Sequence, residues 1–245
     1  MNKGTVAFDI IGTCFSLEKP RHQLVDLGAP THALDLWFAQ TLRDAFALSY
    51  AGDYRPLKQV LEAELPRTMK MLGIELDAMQ LSDVVKSFSE LDLQPGALEA
   101  FQILSEKGWQ LVALTNGSEE STRKLLERAN VIQHFASIFS CDAIQKTKPH
   151  PDVYAMPKRE TSGDVWMVAA HAWDIAGAKG AGLRTAFISQ EEKEYLSIYP
   201  QPEIVANTLV AAANKIAEAS GVNTLGFCSP WTKVRISKQK PVETG

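Results

Sequence analysis

One aspartate near the start of the chain could act as a nucleophile. Asp9 directly follows the short apolar run Val6–Phe8. A run of this kind predicts a buried strand, so Asp9 is expected at its carboxyl end, where open α/β sheets bind their ligands. Two residues further on, Ile11 offers no second carboxylate. The spacing disfavours chemistry that needs two acids here and leaves chemistry that needs one nucleophilic carboxylate.

A second polar turn follows the apolar run Leu111–Leu114. Its residues 115–118 are Thr-Asn-Gly-Ser, and glutamates follow at 119 and 120, which is typical of a helix N-terminus. Amide groups at a helix N-terminus attract anions. The Thr115 hydroxyl and the Asn116 amide could therefore hold a carboxylate, a phosphate or a leaving anion, although a plain capping turn would have the same sequence.

Two further turns have ionisable side chains. Lys148 lies in a Lys-Pro-His-Pro segment and could keep Asp9 ionised by charge pairing, although a surface lysine is the simpler interpretation. Asp174 follows the apolar run Val165–Val168 and is expected at the ligand edge, or else it only complements a helix dipole. His171 is a possible proton carrier, but a single histidine is more often structural.

These turns are positioned by apolar segments that alternate with amphipathic ones. The predicted strands are Val6–Phe8, Leu111–Leu114, Val165–Val168 and Thr185–Ile188. The predicted helices include Ala97–Lys107, Glu119–Asn130, Ala172–Ala181 and Thr208–Ala219. This alternation predicts a doubly wound α/β fold with a parallel sheet. Since parallel strands end at one edge of the sheet, the polar turns are expected to form one site.

Residues 17–92 interrupt the alternation with helical periodicity alone, which predicts an inserted all-helical cap. The α/β core then comprises residues 1–16 and 93–220. In the cap, Trp37 and Phe38 are interpreted as core residues by default, with pocket lining as the alternative. Residues 221–245 are basic and aperiodic, and they predict an irregular tail or, less simply, a weak nucleic-acid or partner-binding segment.

Composition excludes several classes of protein. The chain has 245 residues, of which 45% are apolar and 22% charged, and a net charge of −4, which disfavours a general nucleic-acid role. The three cysteines are widely separated and show no metal-binding spacing, which fits a reducing compartment. Neither a signal-peptide core nor an 18-residue apolar run is present. We therefore expect a soluble, cytoplasmic protein without a membrane partner.

The order of the polar turns resembles the haloacid dehalogenase (HAD) superfamily, and within it the type II 2-haloacid dehalogenases. The resemblance covers about residues 4–215, including the cap. The matching stretches are FDIIGT (8–13), LTNGS (114–118), KPHPDVY (148–154) and AHAWDIAGAKGAGLRTAFI (170–188). The Trp-Asp-x-x-Gly-Ala run at 173–178 is the most family-specific. The resemblance implies a HAD-like Rossmannoid parallel sheet core with an inserted helical cap.

The same resemblance separates this chain from the phosphatases of the superfamily. Those enzymes have Asp-x-Asp at the first motif, where this chain has Ile11 as its third residue. They usually have Gly-Asp where this chain has Ala169 and Ala170. Because Mg²⁺ requires oxygen ligands, the depleted set predicts no metal and no cofactor.

The dehalogenase branch implies a mechanism at Asp9. The carboxylate attacks the halogen-bearing carbon of a short (S)-2-haloacid, and water then hydrolyses the resulting ester to the inverted 2-hydroxy acid. The substrate and water are the only partners implied, apart from a possible homodimer. The resemblance also implies roles for other side chains: Lys148 keeps Asp9 ionised, Thr13 orients it, Asp174 with His171 handles the water, Thr115 grips the substrate carboxylate, Asn116 cradles the halide, and Tyr154 and Trp173 shape the pocket.

Three departures from that branch involve four positions. Phe38 stands where an arginine helps the halide leave, Ala169 and Ala170 replace two serines, and His171 replaces a common asparagine. We expect Phe38 to offer an apolar halide cradle and His171 to take over part of the lost hydrogen bonding. Two other functions stay open. One is an atypical hydrolase or phosphatase of another small substrate, and the other is a weakly active relative that binds small anions or a protein partner.

Overall fold

The computed structural model describes residues 3–161 and 163–219. Within these ranges six strands form one sheet, in the order β3-β2-β1-β4-β5-β6, and every neighbouring pair is parallel. The strands are β1 (Gly4–Phe8), β2 (Trp109–Thr115), β3 (Phe135–Ser140), β4 (Asp164–Ala169), β5 (Arg184–Ile188) and β6 (Ile204–Ala206). The predicted α/β fold with a parallel sheet is confirmed.

Helices connect the strands. In chain order they are α1 (Glu18–Asp26), α2 (Ala33–Ala51), α3 (Leu57–Met71), α4 (Ala78–Lys86), α5 (Ala97–Glu106), α6 (Glu119–Arg128), α7 (Pro151–Glu160), α8 (Ala172–Gly180) and α9 (Leu209–Glu218). The first four lie between β1 and β2, and short 3-10 turns precede α5, β3 and α7.

The sequence patterns missed β3 and β6, which are the two edge strands. Three residues of β3 are at least partly exposed, and β6 is only three residues long. An edge strand has one partner and is less completely buried than a central strand. It therefore lacks the continuous apolar run by which the four inner strands were predicted.

The strand order places Asp9 where ligands bind in folds of this type. From β1 the sheet extends through β2 to β3 on one side and through β4 to β6 on the other, so the topology reverses at β1. Phe8 is aligned with Ala113 on β2 and with Val168 on β4. The residue after Phe8 therefore lies in the crevice between the carboxyl ends of three strands.

Alternate side chains of β1 fix it between two apolar layers. Val6 and Phe8 belong to a cluster that includes residues of α5 and α9, whereas Ala7 belongs to a cluster on the other face with residues of α7 and α8. All five residues of β1 are buried. Burial on both faces makes β1 a rigid support for the side chain that follows it.

Helices α1 to α4, with the short 3-10 turn at 87–89, form what we call the helical insertion. It has its own apolar cluster, in which Trp37 is fully buried and its indole Nε1 donates to the Leu61 carbonyl at 3.1 Å. The default interpretation of Trp37 as a core residue is therefore confirmed. The predicted limits of the cap and core remain predictions, and residues 221–245 lie outside the described ranges.

The helical insertion contacts the sheet domain directly. Phe46 packs edge-on against Trp173, with ring centroids 5.1 Å apart, and Ser49 Oγ accepts a hydrogen bond from the Thr147 backbone N–H at 3.0 Å. These contacts close α2 over the carboxyl edge of the sheet. None of the described helices has the length and hydropathy needed to cross a membrane.

Candidate active site

A buried lysine joins two aspartates at the carboxyl edge of the sheet. Lys148 Nζ donates to Asp9 Oδ1 at 2.9 Å and to Asp174 Oδ2 at 2.8 Å. Lys148 and Asp174 are fully buried, and Asp9 is 5% exposed. Asp9 follows β1, Lys148 precedes α7, and Asp174 lies in the first turn of α8. The fold thus brings together three charged residues that are separated by up to 165 positions of sequence.

The remaining carboxylate oxygens have neutral donors. Thr13 Oγ1 donates to Asp9 Oδ2 at 2.7 Å and accepts the Ala170 backbone N–H at 2.9 Å. Tyr154 donates to Asp174 Oδ1 at 2.6 Å. Each oxygen of Asp9 therefore accepts one identified hydrogen bond and retains a second lone pair for reaction.

Gly177 explains why the Trp-Asp-x-x-Gly-Ala motif is so specific. A Cβ at this position would lie 2.6 Å from the Tyr154 hydroxyl oxygen and 2.7 Å from a side-chain carbon of Pro149. Only glycine lets the tyrosine lie this close to α8 and donate to Asp174. Tyr154 is fully buried and was predicted to shape the pocket, but its observed contact is with the carboxylate.

Burial and charge act against each other in this group. Burial raises the pKa of Asp174, and the charge of Asp9 adds to this, so that together they outweigh Lys148 and Tyr154. Burial opposes the charge on Lys148, but Asp174 and Asp9 prevail and its pKa is raised. Burial and Asp174 raise the pKa of Tyr154 well above its usual value, which keeps its hydroxyl a donor. The lysine is therefore a permanent cation between the two acids.

The turn after β2 presents Asn116 to the site. Its Oδ1 accepts the Lys148 backbone N–H at 3.0 Å and the Cys141 thiol at 3.1 Å. Burial raises the pKa of Cys141 to about 12, so it remains a thiol donor. With Oδ1 used in this way, the Asn116 NH₂ group is the donor available to a ligand.

Thr115 is buried beside Asn116 but faces its own turn. Its Oγ1 accepts the Gly117 backbone N–H at 3.0 Å, and Thr115 does not line the cavity at Asp9. This contact stabilises the turn that positions Asn116. The predicted grip of Thr115 on a substrate carboxylate remains a prediction.

A small cavity opens onto Asp9. Its volume is about 10 Å³, on the order of one water molecule. It is mostly apolar, and its lining consists of Asp9, Ile11, Phe38, Leu42, Leu57, Asn116, His171 and Trp173. A substrate larger than water therefore requires movement of these side chains.

Two larger cavities adjoin this one. Phe38, Leu42, His171 and Trp173 also line a cavity of about 710 Å³, whereas Ile11 and Leu57 also line another of about 470 Å³. The shared residues form the walls between the Asp9 cavity and its neighbours. Phe38 is one of these wall residues. Of the two aromatic residues of the cap, Phe38 therefore lines a pocket, whereas Trp37 is a core residue.

His171 lies beside the Asp9 cavity with its two ring nitrogens in different surroundings. Nδ1 is 3.3 Å from Glu192 Oε1, while Nε2 is buried and has no hydrogen-bond partner in the described protein. The ring stacks on Trp173 at 5.5 Å and an interplanar angle of 10°. Burial disfavours the charged ring, but the Glu192 contact and the charge of Asp9 outweigh it, and the pKa of His171 is raised.

Glu192 is a site residue that the sequence analysis missed. Besides contacting His171, its Oε2 accepts the Ala172 backbone N–H at 3.0 Å, which anchors the start of α8. Glu192 follows β5, a strand that was predicted. The reasoning that singled out Asp9, an acid beyond the carboxyl end of a predicted strand, could have identified Glu192 too.

The residues present do not fit a magnesium ion. Lys148 Nζ lies within 3 Å of both Asp9 and Asp174, so a cation already stands between the two carboxylates. Ile11, Ala169 and Ala170 add no oxygen ligand from their side chains. In the described ranges, no three histidine, cysteine or acidic side chains are grouped as metal ligands.

Comparison with known proteins gives one consistent family. A family model described as haloacid dehalogenase-like hydrolase matches residues 4–182. The chain is 26% identical over 209 residues to the (S)-2-haloacid dehalogenase of Xanthobacter autotrophicus, which covers 83% of this chain and 80% of that protein. It is also 26% identical over 225 residues to the (S)-2-haloacid dehalogenase of Pseudomonas sp. (strain YL), covering 88% and 95%.

A solved structure shares the fold. The L-2-haloacid dehalogenase from Xanthobacter autotrophicus with chloropropionic acid covalently bound aligns with a TM-score of 0.80 at 22% identity, covering 90% of this chain and 100% of that one. The relatives support the 2-haloacid dehalogenase branch that the motifs predicted. The chain belongs to the haloacid dehalogenase-like hydrolase family.

Proposed function

We propose that this hydrolase cleaves the carbon–halogen bond of short (S)-2-haloacids through an ester at Asp9 and without a metal. The observation that carries the proposal is the clamp on Asp9. Its two oxygens are held by Lys148 and Thr13, and it faces a small, mostly apolar cavity. The relatives described above act on (S)-2-haloacids by name, and their similarity extends over most of both chains.

The first step forms the ester. One lone pair of the Asp9 carboxylate forms an O–C2 bond to the substrate, and the carbon–halogen bond breaks with its electron pair leaving on the halide. Configuration at C2 inverts because the nucleophile enters opposite the leaving group. A carboxylate held in one orientation lowers the entropic cost of this displacement.

The second step hydrolyses the ester. Water adds to the Asp9 carboxyl carbon, the tetrahedral adduct collapses, and the O–Cγ bond to the substrate breaks. The 2-hydroxy acid leaves with a proton on its new hydroxyl group, Asp9 is restored as a carboxylate, and one proton is released overall. Asp174 is our proposed group for positioning or deprotonating the water, and His171 is proposed to help position it.

Substrate binding needs donors near Asp9. Asn116 lines the cavity, and its NH₂ group is the donor left for a ligand because Oδ1 already accepts two hydrogen bonds, which supports the proposed roles in binding a halide or carboxylate. Trp173 and Phe38 provide apolar walls. The turn that Thr115 stabilises also places backbone amides at the N-terminus of α6, where anions are favoured.

Halide release tests the proposal. Purified protein with excess chelator is mixed separately with each enantiomer of 2-chloropropionate, and chloride is measured. We expect release from the (S) enantiomer, none with Asp9→Asn, and unchanged release with Asp26→Asn, which alters an exposed aspartate of α1. Release from neither enantiomer above the Asp9→Asn level would contradict the proposal.

Oxygen labelling tests the ester directly. In H₂¹⁸O, a single turnover is expected to leave the label in the Asp9 carboxylate and not in the product, because water attacks Cγ. Mass spectrometry of the peptide containing Asp9 reads this out. Label in the product of the first turnover would instead indicate direct attack of water on C2. Turnover of a phosphate ester only with added magnesium would favour the phosphatase alternative.

A homodimer and a cytoplasmic location are also part of the proposal. The described cysteines, Cys14 and Cys141, are free and buried, which supports a reducing compartment. Light scattering coupled to gel filtration tests the oligomeric state, and a monomer at micromolar concentration would contradict the dimer.

A further inference from the structure

His171 lines the Asp9 cavity and also contacts Glu192, a carboxylate that does not line it. Its Nδ1 faces Glu192 Oε1 at 3.3 Å, so an ionised Glu192 makes Nδ1 the donor. Nε2 is buried and has no partner in the described protein, and a Cβ at Gly12 would lie 2.8 Å from it. A buried ring nitrogen without a hydrogen bond is costly unless a water molecule or a ligand completes it.

The Asp9 cavity needs a group that can stabilise a departing anion. Ile11, Phe38, Leu42 and Leu57 have only hydrocarbon side chains there. Among its lining residues, Asn116, Trp173 and His171 have side-chain N–H donors. Only the histidine can carry a positive charge.

Lys148 does not supply that charge to a ligand. Its ammonium group is fully buried and donates to both Asp9 and Asp174, so its charge is compensated by two carboxylates. Lys148 is also not among the residues that line the Asp9 cavity. A positive charge next to a leaving anion must therefore come from another residue.

We infer that His171, protonated and oriented by Glu192, is the cation that receives the departing halide through its Nε2–H group. This inference rests on the proposed dehalogenation, and it identifies His171 as the residue that binds the halide in that reaction. As the carbon–halogen bond breaks, the halide leaves with the bonding electron pair and accepts a hydrogen bond from Nε2. The proton stays on the ring throughout this step.

The groups around the ring favour its charged form. Burial opposes it, yet Glu192, Asp9 and Asp174 together raise the pKa of His171. The stacked indole of Trp173 offers a further favourable surface for an imidazolium ion.

The arginines of the helical insertion that line the cavity next to His171 are paired with carboxylates. The 710 Å³ cavity next to His171 also contains Arg21, paired with Asp35 at 2.8 Å, and Arg43, paired with Asp44 at 2.6 Å. Glu191, next to Glu192, accepts a hydrogen bond from Gln94 Nε2 at 3.1 Å. The two arginines that line this cavity thus both have carboxylate partners and do not replace His171.

Bromide binding tests the anion site without turnover. The imidazole ¹⁵N signals of His171 are titrated with pH in sodium bromide and in sodium sulfate of equal ionic strength. Because binding and protonation are linked reciprocally, bromide is expected to raise the pKa of His171. The signals of the exposed His22 serve as the internal control. An identical His171 titration in both salts would overturn the inference.

Single-turnover kinetics test the role in the reaction. With (S)-2-bromopropionate, the rate of ester formation in the wild type is expected to fall as the pH rises through the pKa of His171. His171→Gln should be slower by on the order of 100-fold and lose this pH dependence. His22→Gln should match the wild type, and circular dichroism checks that each variant is folded.

The outcomes separate this inference from the proposed function. If no haloacid reacts but bromide still raises the pKa of His171, the dehalogenation fails and the anion site is supported. If esters form in His171→Gln at the wild-type rate, the inference is wrong. A loss confined to ester hydrolysis, with a rate that rises with pH, would also overturn it and identify His171 as a base.

Discussion

The ammonium nitrogen of Lys148 lies 2.9 Å from Oδ1 of Asp9 inside the protein. This contact is part of a buried group in which one cation serves two acids. Removing one partner of such a group leaves uncompensated charge in a medium that solvates it poorly, and the cost exceeds what the intact pair contributes. The contact therefore supports both the fold and the nucleophile.

Lys148→Met tests this dependence. We expect the free energy of unfolding to fall by about 3–5 kcal/mol and halide release to be lost, because Asp9 and Asp174 would face each other without a cation. Urea denaturation at neutral pH measures the change. Lys146→Met is the matched control, since this lysine pairs with Asp152 at the surface and its loss should change the free energy of unfolding much less. Equal losses in the two variants would contradict the assigned role.

Gly12 offers a test of the space beside His171. Gly12 has φ +84°, and a Cβ there would lie 2.8 Å from His171 Nε2. Gly12→Ala is expected to cost about 1–2 kcal/mol for the left-handed backbone and more for displacing the imidazole. It should also slow halide release by moving Nε2.

Gly52→Ala is the control for backbone strain alone. Gly52 has φ +81°, and nothing lies within 4 Å of its Cβ position. The difference between the two unfolding free energies isolates the contact with His171. Equal free energies of unfolding for Gly12→Ala and Gly52→Ala would mean that the imidazole ring of His171 moves away without a cost in stability.

The pH dependence of stability follows from the contact between His171 and Glu192. In the folded protein the pKa of His171 is raised above its ordinary value of about 6.5. The stabilisation that comes from protonated His171 is therefore fully present below pH 6.5. It is lost as the pH rises through the raised folded value. Glu192→Gln should lower that pKa, so the stability gap between wild type and variant should narrow as the pH rises from 6 towards 9.

Urea denaturation across that range measures the gap. Glu191→Gln changes the neighbouring glutamate, which contacts Gln94 instead of His171, and is expected to keep the wild-type pH dependence. A gap that stays constant with pH in Glu192→Gln would show that Glu192 acts only by anchoring Ala172.

Phe38 separates the Asp9 cavity from a much larger one. It lines both the 10 Å³ and the 710 Å³ cavities, and its ring lies 6.1 Å from that of Phe88. Phe38→Leu should open this wall and raise kcat/KM for 2-bromohexanoate relative to 2-bromopropionate by roughly tenfold. Steady-state bromide release measures the ratio.

Phe46→Leu is the matched control for that substitution. Phe46 lines the larger cavity but not the one at Asp9. It is therefore expected to leave the preference for the short substrate unchanged. A similar shift in both variants would indicate loosening of α2 as a whole.

The inner part of the sheet was predictable because the relevant information is local. Val6–Phe8 and Val165–Val168 are continuous apolar runs, as expected for strands covered on both faces. The edge strand Ile204–Ala206 has Val205 half-exposed and is too short to show a period. Its pairing with β5 depends on where the preceding loop leads, which no local pattern records.

The sequence alone identified polar residues that follow buried strands, among them Asp9 and Asp174, and it predicted that Lys148 pairs with Asp9. Tertiary structure decided what each side chain contacts: Tyr154 donates to Asp174, and Thr115 holds its own turn. It also paired His171 with Glu192, which the sequence analysis overlooked. The physical reason is that strand hydrophobicity is encoded by neighbours in the chain. Hydrogen-bond partners instead depend on distances of a few ångströms between separate elements, which only their packing sets.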